Sequence, residues 1–390
     1  MPRFFARVIL ATVLSASATV ATASDALSAA QIEEISRLAR EALNTSHLPA
    51  LSVTVVREGK LWSAAFGMAD LEQDVPATTR SMFRTASIGK WFTATATMRL
   101  VEDGKLDLDA PIQNYCPQYP LKPWPVTSRY LLAHLAGVRH YYGDNGERRD
   151  TDAERAALDA QVARERAAQF VRYTDMIGPL GIFKDDPLLF EPGTQSHYSS
   201  LGYRLLGCAL EGAARMPYRR LMRELVFAPA GMSSIAEDDS RALVAHRAAG
   251  YSRGPDNTLL RAEYRDVSEN LPAGGWLATS EDLAKFALAF ARGQLVKPST
   301  RDLMVRRPVL KDGAPAPNRL GSSNYYYGLG VMIGPLDGER AWFHTGGQSG
   351  ATALLYWYPD SDVAIALMTN LDGRAINEML ARKIAEVVQR

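Results

Sequence analysis

The sequence predicts an α/β fold of the α+β kind: an antiparallel sheet formed from both chain ends and flanked by helices, with an inserted, mainly helical region. Three observations point to it. Short β-branched and apolar runs gather at residues 50–66 and again at 330–368, helix-patterned stretches fill the interval, and further helical stretches border the sheet at both ends. The sheet part covers about 29–80 and 325–390, and the helical part about 87–290.

The elements follow in order. Residues 29–43 read as a helix. Residues 50–57 and 60–66 read as a hairpin turning at Glu58-Gly59. A helix then opens at Ser87, passes through Trp91, Phe92, Met98 and Leu100, and stops near Gly104, where a left-handed cap belongs. It is apolar on almost every side, so it belongs in the core. Glu191-Pro-Gly-Thr194 turns the chain into Tyr198-Ser-Ser200, which leads into a helix over 201–214. Strands follow at 330–333, 341–344, 352–358 and 363–368, with a turn at Pro359-Asp-Ser-Asp362 and a closing helix over 375–389.

Composition excludes several classes. The 44 basic and 43 acidic residues leave a net charge of +1, which gives no field to steer nucleic acid or an anionic membrane. Arg3 and Arg7, a small and apolar core over 8–20, and Ala21-Thr-Ala23 read as a signal peptide over 1–23, ahead of a domain over 24–390. That core is too short and too rich in Ala, Ser and Thr to span a bilayer comfortably, and no later run is long enough. The expected location is periplasmic or secreted, in a bacterium. An oxidising compartment would permit one disulfide between Cys116 and Cys208, but their spacing carries no geometry, and two buried thiols are the expected state. Residues 144–166 carry 12 charges in 23 positions and read as a solvated helix or excursion rather than as a lid.

Three short motifs carry the chemistry. Ser87-Ile-Gly-Lys90 places a hydroxyl and an amine three residues apart on one helix face. Desolvation favours a neutral lysine, which could take the serine proton, and the helix N-terminus could receive an oxyanion. Taken alone, a capping Ser87 and a snorkelling surface Lys90 explain the pair as well. Tyr198 stands at a loop-to-helix junction, where a phenol could relay protons and Ser200 could bond Lys90. Alternatively Ser199 or Ser200 caps the helix and Tyr198 packs. His344-Thr345-Gly346 ends a strand, and the small residues through Gly350, including Gly347, let an extended substrate approach. The histidines show no metal-protease spacing, so neither a metal nor another cofactor is expected.

These motifs, in this order, resemble the serine β-lactamase and penicillin-binding superfamily in its class C-like branch, with its β-lactamase/transpeptidase-like fold. Arg84-Thr-Ala-Ser-Ile-Gly-Lys90, Leu131-Leu-Ala-His-Leu-Ala-Gly-Val-Arg-His140, Asp186-Pro-Leu-Leu-Phe-Glu-Pro-Gly-Thr194 and Ala273-Gly-Gly-Trp-Leu-Ala-Thr-Ser-Glu-Asp-Leu283 resemble its mitochondrial β-lactamase-like subfamily and bacterial relatives. The resemblance implies Ser87 as nucleophile, Lys90 as base, Tyr198 as second proton carrier and Ser200 as its companion. It further implies His344, Thr345 and Gly346 as the substrate strand, with the N–H groups of Ser87 and Gly347 as oxyanion hole. Many members carry lysine where His344 stands, and a neutral imidazole grips a substrate carboxylate less strongly. The expectation is therefore an exported serine hydrolase that forms an acyl-enzyme on a small peptide, amide or ester. A penicillin-sensitive DD-carboxypeptidase or weak β-lactamase, and a non-catalytic binding or assembly protein, are the alternatives.

Overall fold

The β-branched runs at the two ends of the chain pair with each other, and that pairing organises the rest. The computed structural model describes residues 27–390 apart from 144, 319–323, 337–338, 374 and 377, so the leader expected over 1–23 lies outside the described residues. Helix α1 (Ala29–Thr45) precedes the hairpin β1 (Ala50–Arg57) and β2 (Lys60–Asp70) and the short strands β3 (Val75–Pro76) and β4 (Phe83–Arg84). Helices α2 (Gly89–Glu102), α3 (Ser128–Leu132), α4 (Asp152–Ala168), α5 (Ser200–Ala214) and α6 (Tyr218–Met222) follow. Short strands β5 (Ala236–Glu237), β6 (Tyr251–Arg253), β7 (Leu259–Arg261) and β8 (Trp276–Ala278) lead to α7 (Ser280–Ala291) and α8 (Pro298–Met304). The chain closes with β9 (Tyr326–Tyr327), β10 (Met332–Leu336), β11 (Glu339–Gln348), β12 (Ala351–Tyr358), β13 (Val363–Thr369) and α9 (Glu378–Gln389).

The eight-stranded sheet has the order β3-β2-β1-β13-β12-β11-β10-β9. The two chain ends meet where β1 pairs antiparallel with β13, from Ser52 opposite Met368 to Arg57 opposite Val363. Alternation splits each strand between two cores. Val53, Val55, Ile365 and Leu367 face α1 and α9, where they pack with Ile35, Leu38, Ile384 and Val388. Ala65, Ala353, Ala364 and Ala366 belong to the opposite core, shared with the helical region. These small side chains leave room for α7, whose Ser280 Oγ bonds Ser52 Oγ at 2.8 Å and Thr54 Oγ1 at 2.7 Å. The sheet is thus covered on both faces, which is why β12 and β13 are buried throughout.

Helix α2 lies at the centre of the larger core. Trp91 packs edge-on against Phe286 and Phe290 of α7, and Phe92 against Phe227 and Phe286. Each such ring contributes about 1.5–3 kcal/mol on burial. Gly104 follows with φ 66, the left-handed stop that the sequence indicates.

Three expectations need correction. Ser87 does not open the α-helix; it lies in a 3₁₀ turn, Ala86–Ile88, that feeds α2. The strand does not end at His344: β11 continues through Gln348 and pairs with β12 from Trp342 to Gln348. Cys116 and Cys208 are not free thiols but a disulfide, with Cα atoms 5.6 Å apart. It ties the loop after α2 to α5 across 92 positions. Chain entropy then predicts that replacing both cysteines by alanine lowers the unfolding free energy by about 2–5 kcal/mol, readable in urea titrations against the oxidised parent. Unchanged stability would mean that the loop is already ordered without the bond.

Candidate active site

Ser87 is presented on a strained turn. Ala86 has φ 45, a left-handed conformation that costs a non-glycine residue on the order of 1–3 kcal/mol and persists only where neighbours enforce it. Glycines from two other segments close around that turn. A Cβ on Gly274, whose φ is 152, would lie 2.2 Å from the Ala86 carbonyl oxygen, and one on Gly346 would lie 2.6 Å from the Thr85 oxygen. Thr85 N–H also donates to Trp276 O at 2.9 Å. The turn is therefore gripped between β11 and the segment preceding β8.

Lys90, one helical turn later, is fully buried. Its Nζ donates to Ser87 Oγ at 3.1 Å, Ser200 Oγ at 3.0 Å and Ala273 O at 3.2 Å. It also lies 4.8 Å from the Tyr198 ring centroid and 5.7 Å from that of Tyr203. This is an interior amine, not a snorkelling one. Burial pushes the Tyr203 phenol up, so it remains a donor, to Leu132 O at 2.9 Å.

The second motif divides its labour. Ser199 caps α5, accepting from Gly202 N–H at 2.9 Å while donating to Arg139 O at 2.6 Å. That leaves the Ser200 hydroxyl for Lys90. Tyr198 packs between His134, His140 and Tyr327, with ring centroids at 4.3, 5.4 and 6.2 Å. Capping and proton-handling geometry are both present, on adjacent residues.

Ser87, Tyr198, Ser200, Thr345, Gly346 and Gly347 line one cavity of about 600 Å³. His344 is not among its lining residues, which corrects the expectation that its imidazole reaches the substrate. The side chain is fully buried; Nε2 lies 2.9 Å from Tyr327 Oη and Nδ1 lies 2.7 Å from Thr345 O. A carbonyl only accepts, so Nδ1 carries a proton, and Nε2 and the Tyr327 hydroxyl are hydrogen-bonded to each other.

The sequence did not single out the rest of the wall. Arg84, His140, Tyr141, Glu165, Arg166, Arg265 and Glu269 also line the cavity. Arg84 pairs with Asp238 at 2.6 Å, Arg265 with Glu263 at 2.8 Å, and Glu165 with Arg139 at 2.5 Å. Glu269 meets Arg204 at 3.1 Å; burial pushes its carboxyl above the ordinary range while the guanidinium opposes the rise. Among the described residues Arg166 makes no ion pair. The charged stretch thus differs from a freely solvated helix: most of α4 faces water, but Val162, Glu165 and Arg166 form cavity wall. The signal for His134, His140 and Ala273 was the pair of family-like stretches at 131–140 and 273–283, which now prove to surround Lys90 and the Tyr198–Ser200 turn.

The family profile described as Beta-lactamase matches residues 35–389. The mouse (Mus musculus) serine beta-lactamase-like protein LACTB, mitochondrial, is 30% identical over 84% of this chain and 71% of its own length. A penicillin binding protein from Bacillus halodurans superposes with TM-score 0.71 at 24% identity, covering 89% of this chain and 98% of that one. A D-stereospecific amidohydrolase from Streptomyces does so with TM-score 0.71 at 22% identity, covering 90% and 97%. The expected periplasmic or secreted bacterial location is corrected by these relatives: the mouse protein and its cattle and human counterparts are mitochondrial proteins of animals. Among the described residues, no helix is long and apolar enough to cross a membrane, and no cluster of three metal-ligating side chains forms.

The grip on the Ser87 turn has a direct test. Gly274→Ala must push Ala86 away, and a displacement near 1 Å can cost about 100-fold in rate. Acylation should fall by at least about tenfold while the circular dichroism spectrum stays near that of the parent, and the unfolding midpoint should drop because alanine is strained at that φ. Parent-like acylation would show that the turn does not depend on this contact.

Proposed function

This chain belongs to the beta-lactamase family, and we propose that it is a serine hydrolase working through a covalent acyl-enzyme on a small peptide, amide or ester. One observation carries the reading: a fully buried amine 3.1 Å from the Ser87 hydroxyl, at the floor of an open cavity. A lysine held there for structure alone would be an expensive way to bury a charge. The printed names of fold neighbours, a penicillin binding protein and an amidohydrolase, fit acyl transfer at a carbonyl.

The steps follow from the positions. Ser87 Oγ attacks the substrate carbonyl carbon as its proton passes to Lys90 Nζ, so the amine serves as general base. The carbonyl oxygen becomes an oxyanion, received by the N–H groups of Ser87 and Gly347. A Cβ on Gly347 would meet nothing within 4 Å, so this strand position leaves the approach open. Collapse breaks the bond to the leaving amine or alcohol, which takes a proton by way of Lys90 and Tyr198. Water then attacks the Ser87 ester, gives a proton back through the same groups and releases the acid. Ser200 holds the amine during both halves.

Kinetics with chromogenic esters, peptide amides and penicillins test the assignment. Ser87→Ala should lower kcat/KM by at least about 10³-fold, and Lys90→Arg, which keeps charge but cannot act as a base, should be nearly as damaging. Parent-like turnover in either variant would remove that residue from the mechanism.

With His344 buried, any grip on a substrate carboxylate falls to the cavity arginines. Arg84 and Arg265 already hold carboxylates, leaving Arg166. Arg166→Gln should lower the kcat/KM ratio of carboxylate-bearing to matched neutral substrates by about fivefold, the modest value of an exposed charge. His344→Gln should leave that ratio unchanged. The reverse pattern would return recognition to the strand histidine.

A further inference from the structure

Two backbone segments, 134–140 and 197–200, are laced together beneath the catalytic tyrosine, and among the described residues two of the bonds between them end on imidazoles. His197 N–H donates to His134 O at 2.9 Å, and Ser199 Oγ to Arg139 O at 2.6 Å. The two on imidazoles are Ser199 N–H to His134 Nδ1 at 3.1 Å and Ser200 N–H to His140 Nδ1 at 3.2 Å. Ser199 is the N-cap of α5 and Ser200 its first residue, so these are two of the amides a helix start leaves without backbone partners. Ser199 Oγ caps a third, on Gly202. The chain bends to make this possible, since His134 has φ 60, a left-handed conformation rare for a side-chain-bearing residue.

We propose that His134 and His140 are positioning residues that hold Tyr198 and Ser200 against Lys90 only while both imidazoles are neutral. The assignment of the proton is geometric. A backbone N–H can only donate, so each Nδ1 must be bare and each neutral ring must carry its proton on Nε2. Protonation replaces an acceptor with an N–H that faces another N–H. It also sets a cation against the positive end of the α5 dipole. Both effects work in one direction: the clasp holds at neutral pH and opens as the pH falls through the range in which histidine takes up a proton.

The surroundings act on both rings together. Tyr198, Tyr203 and Tyr327 face His134, and Tyr141 and Tyr198 face His140. The Lys90 amine lies over Tyr198 and Tyr203, and further out Arg139 pairs with Glu165 and Asp186, and Arg204 with Glu269. Positive charge on an imidazole and on the neighbouring Lys90 amine oppose each other, so each favours the neutral form of the other. Opening the clasp releases Ser200 Oγ from Lys90 Nζ and Tyr198 from the rings that fix it. Acid inactivation would then arise from lost positioning as well as from protonation of the base.

The catalytic consequence rests on the hydrolase reading, whereas the state of the rings does not, so the test has two arms. Long-range proton–nitrogen NMR of the purified protein at pH 7.5 should show both rings as Nε2–H tautomers. A proton on Nδ1 of either ring overturns the proposal whatever the activity. In the second arm, fluorophosphonate acylation is followed from about pH 4.5 to 9. His140→Ala should slow acylation at pH 7.5 by about tenfold or more. His140→Asn can place its amide oxygen near the lost Nδ1 and does not titrate; it should stay within about threefold of the parent and extend activity to lower pH. His134→Asn should behave likewise, asparagine being among the residues that tolerate left-handed backbone. An unmoved acid limb in both asparagine variants, with fold and tautomers intact, contradicts the role. Failure of the parent to acylate while the tautomers are as stated would instead count against the hydrolase reading.

Discussion

A lysine amine stripped of water has to be met by oxygen atoms, and here three of them come from separate parts of the chain. Lys90 Nζ reaches Ser87 on the preceding turn, Ser200 at the start of α5 and the Ala273 carbonyl before β8. Those partners cannot gather unless the strained turn at Ala86, the clasped segment at 197–200 and the glycine-bearing segment at 273–275 all close on one point. The cost of an unmet buried charge, several kcal/mol even after relaxation, makes that convergence close to all-or-none. The site is therefore a consequence of packing around α2 rather than an addition to its surface.

The cavity wall obeys the same rule at lower cost. Glu165, Glu269, Arg84 and Arg265 line it, yet each is answered by a partner within about 3 Å. Such pairs give little net stability but fix geometry, because removing one partner leaves the other unpaired in a poorly solvated place. Helix α4 gains its inner face in this way: Glu165 anchors it to Arg139, and the neighbouring Arg166 is carried to the cavity. A segment that looks like a solvated charge run is thus half surface and half wall.

Much of this was legible in the sequence because the relevant signals are local. The hairpin at 50–66, the buried helix after Ser87, the turn at 359–362 and the strands that follow Gly330 are readable from alternation, apolar coverage and turn residues. What escaped was set by contacts between distant residues. His344 reads as a substrate contact because its motif does, but side-chain direction depends on which neighbour offers a partner, and Tyr327 offers one behind the strand. The pairing of Cys116 with Cys208 depends on how α5 packs, which no spacing encodes. His134 and His140 are ordinary histidines in sequence and become acceptors only because the α5 start points two amides at them. Gly274 is required because a Cβ there would lie 2.2 Å from the Ala86 oxygen, a contact that only the folded chain makes visible.

The central claim is that burial of Lys90 activates one serine and no other. Gln348 and Ser349 also line the cavity, so the chain offers a competitor within the same site. The direct measurement is peptide mapping by mass spectrometry of protein labelled to completion with a fluorophosphonate. The account predicts one adduct per chain, on Ser87. A principal adduct on Ser349, or a folded protein that takes no label, would contradict it.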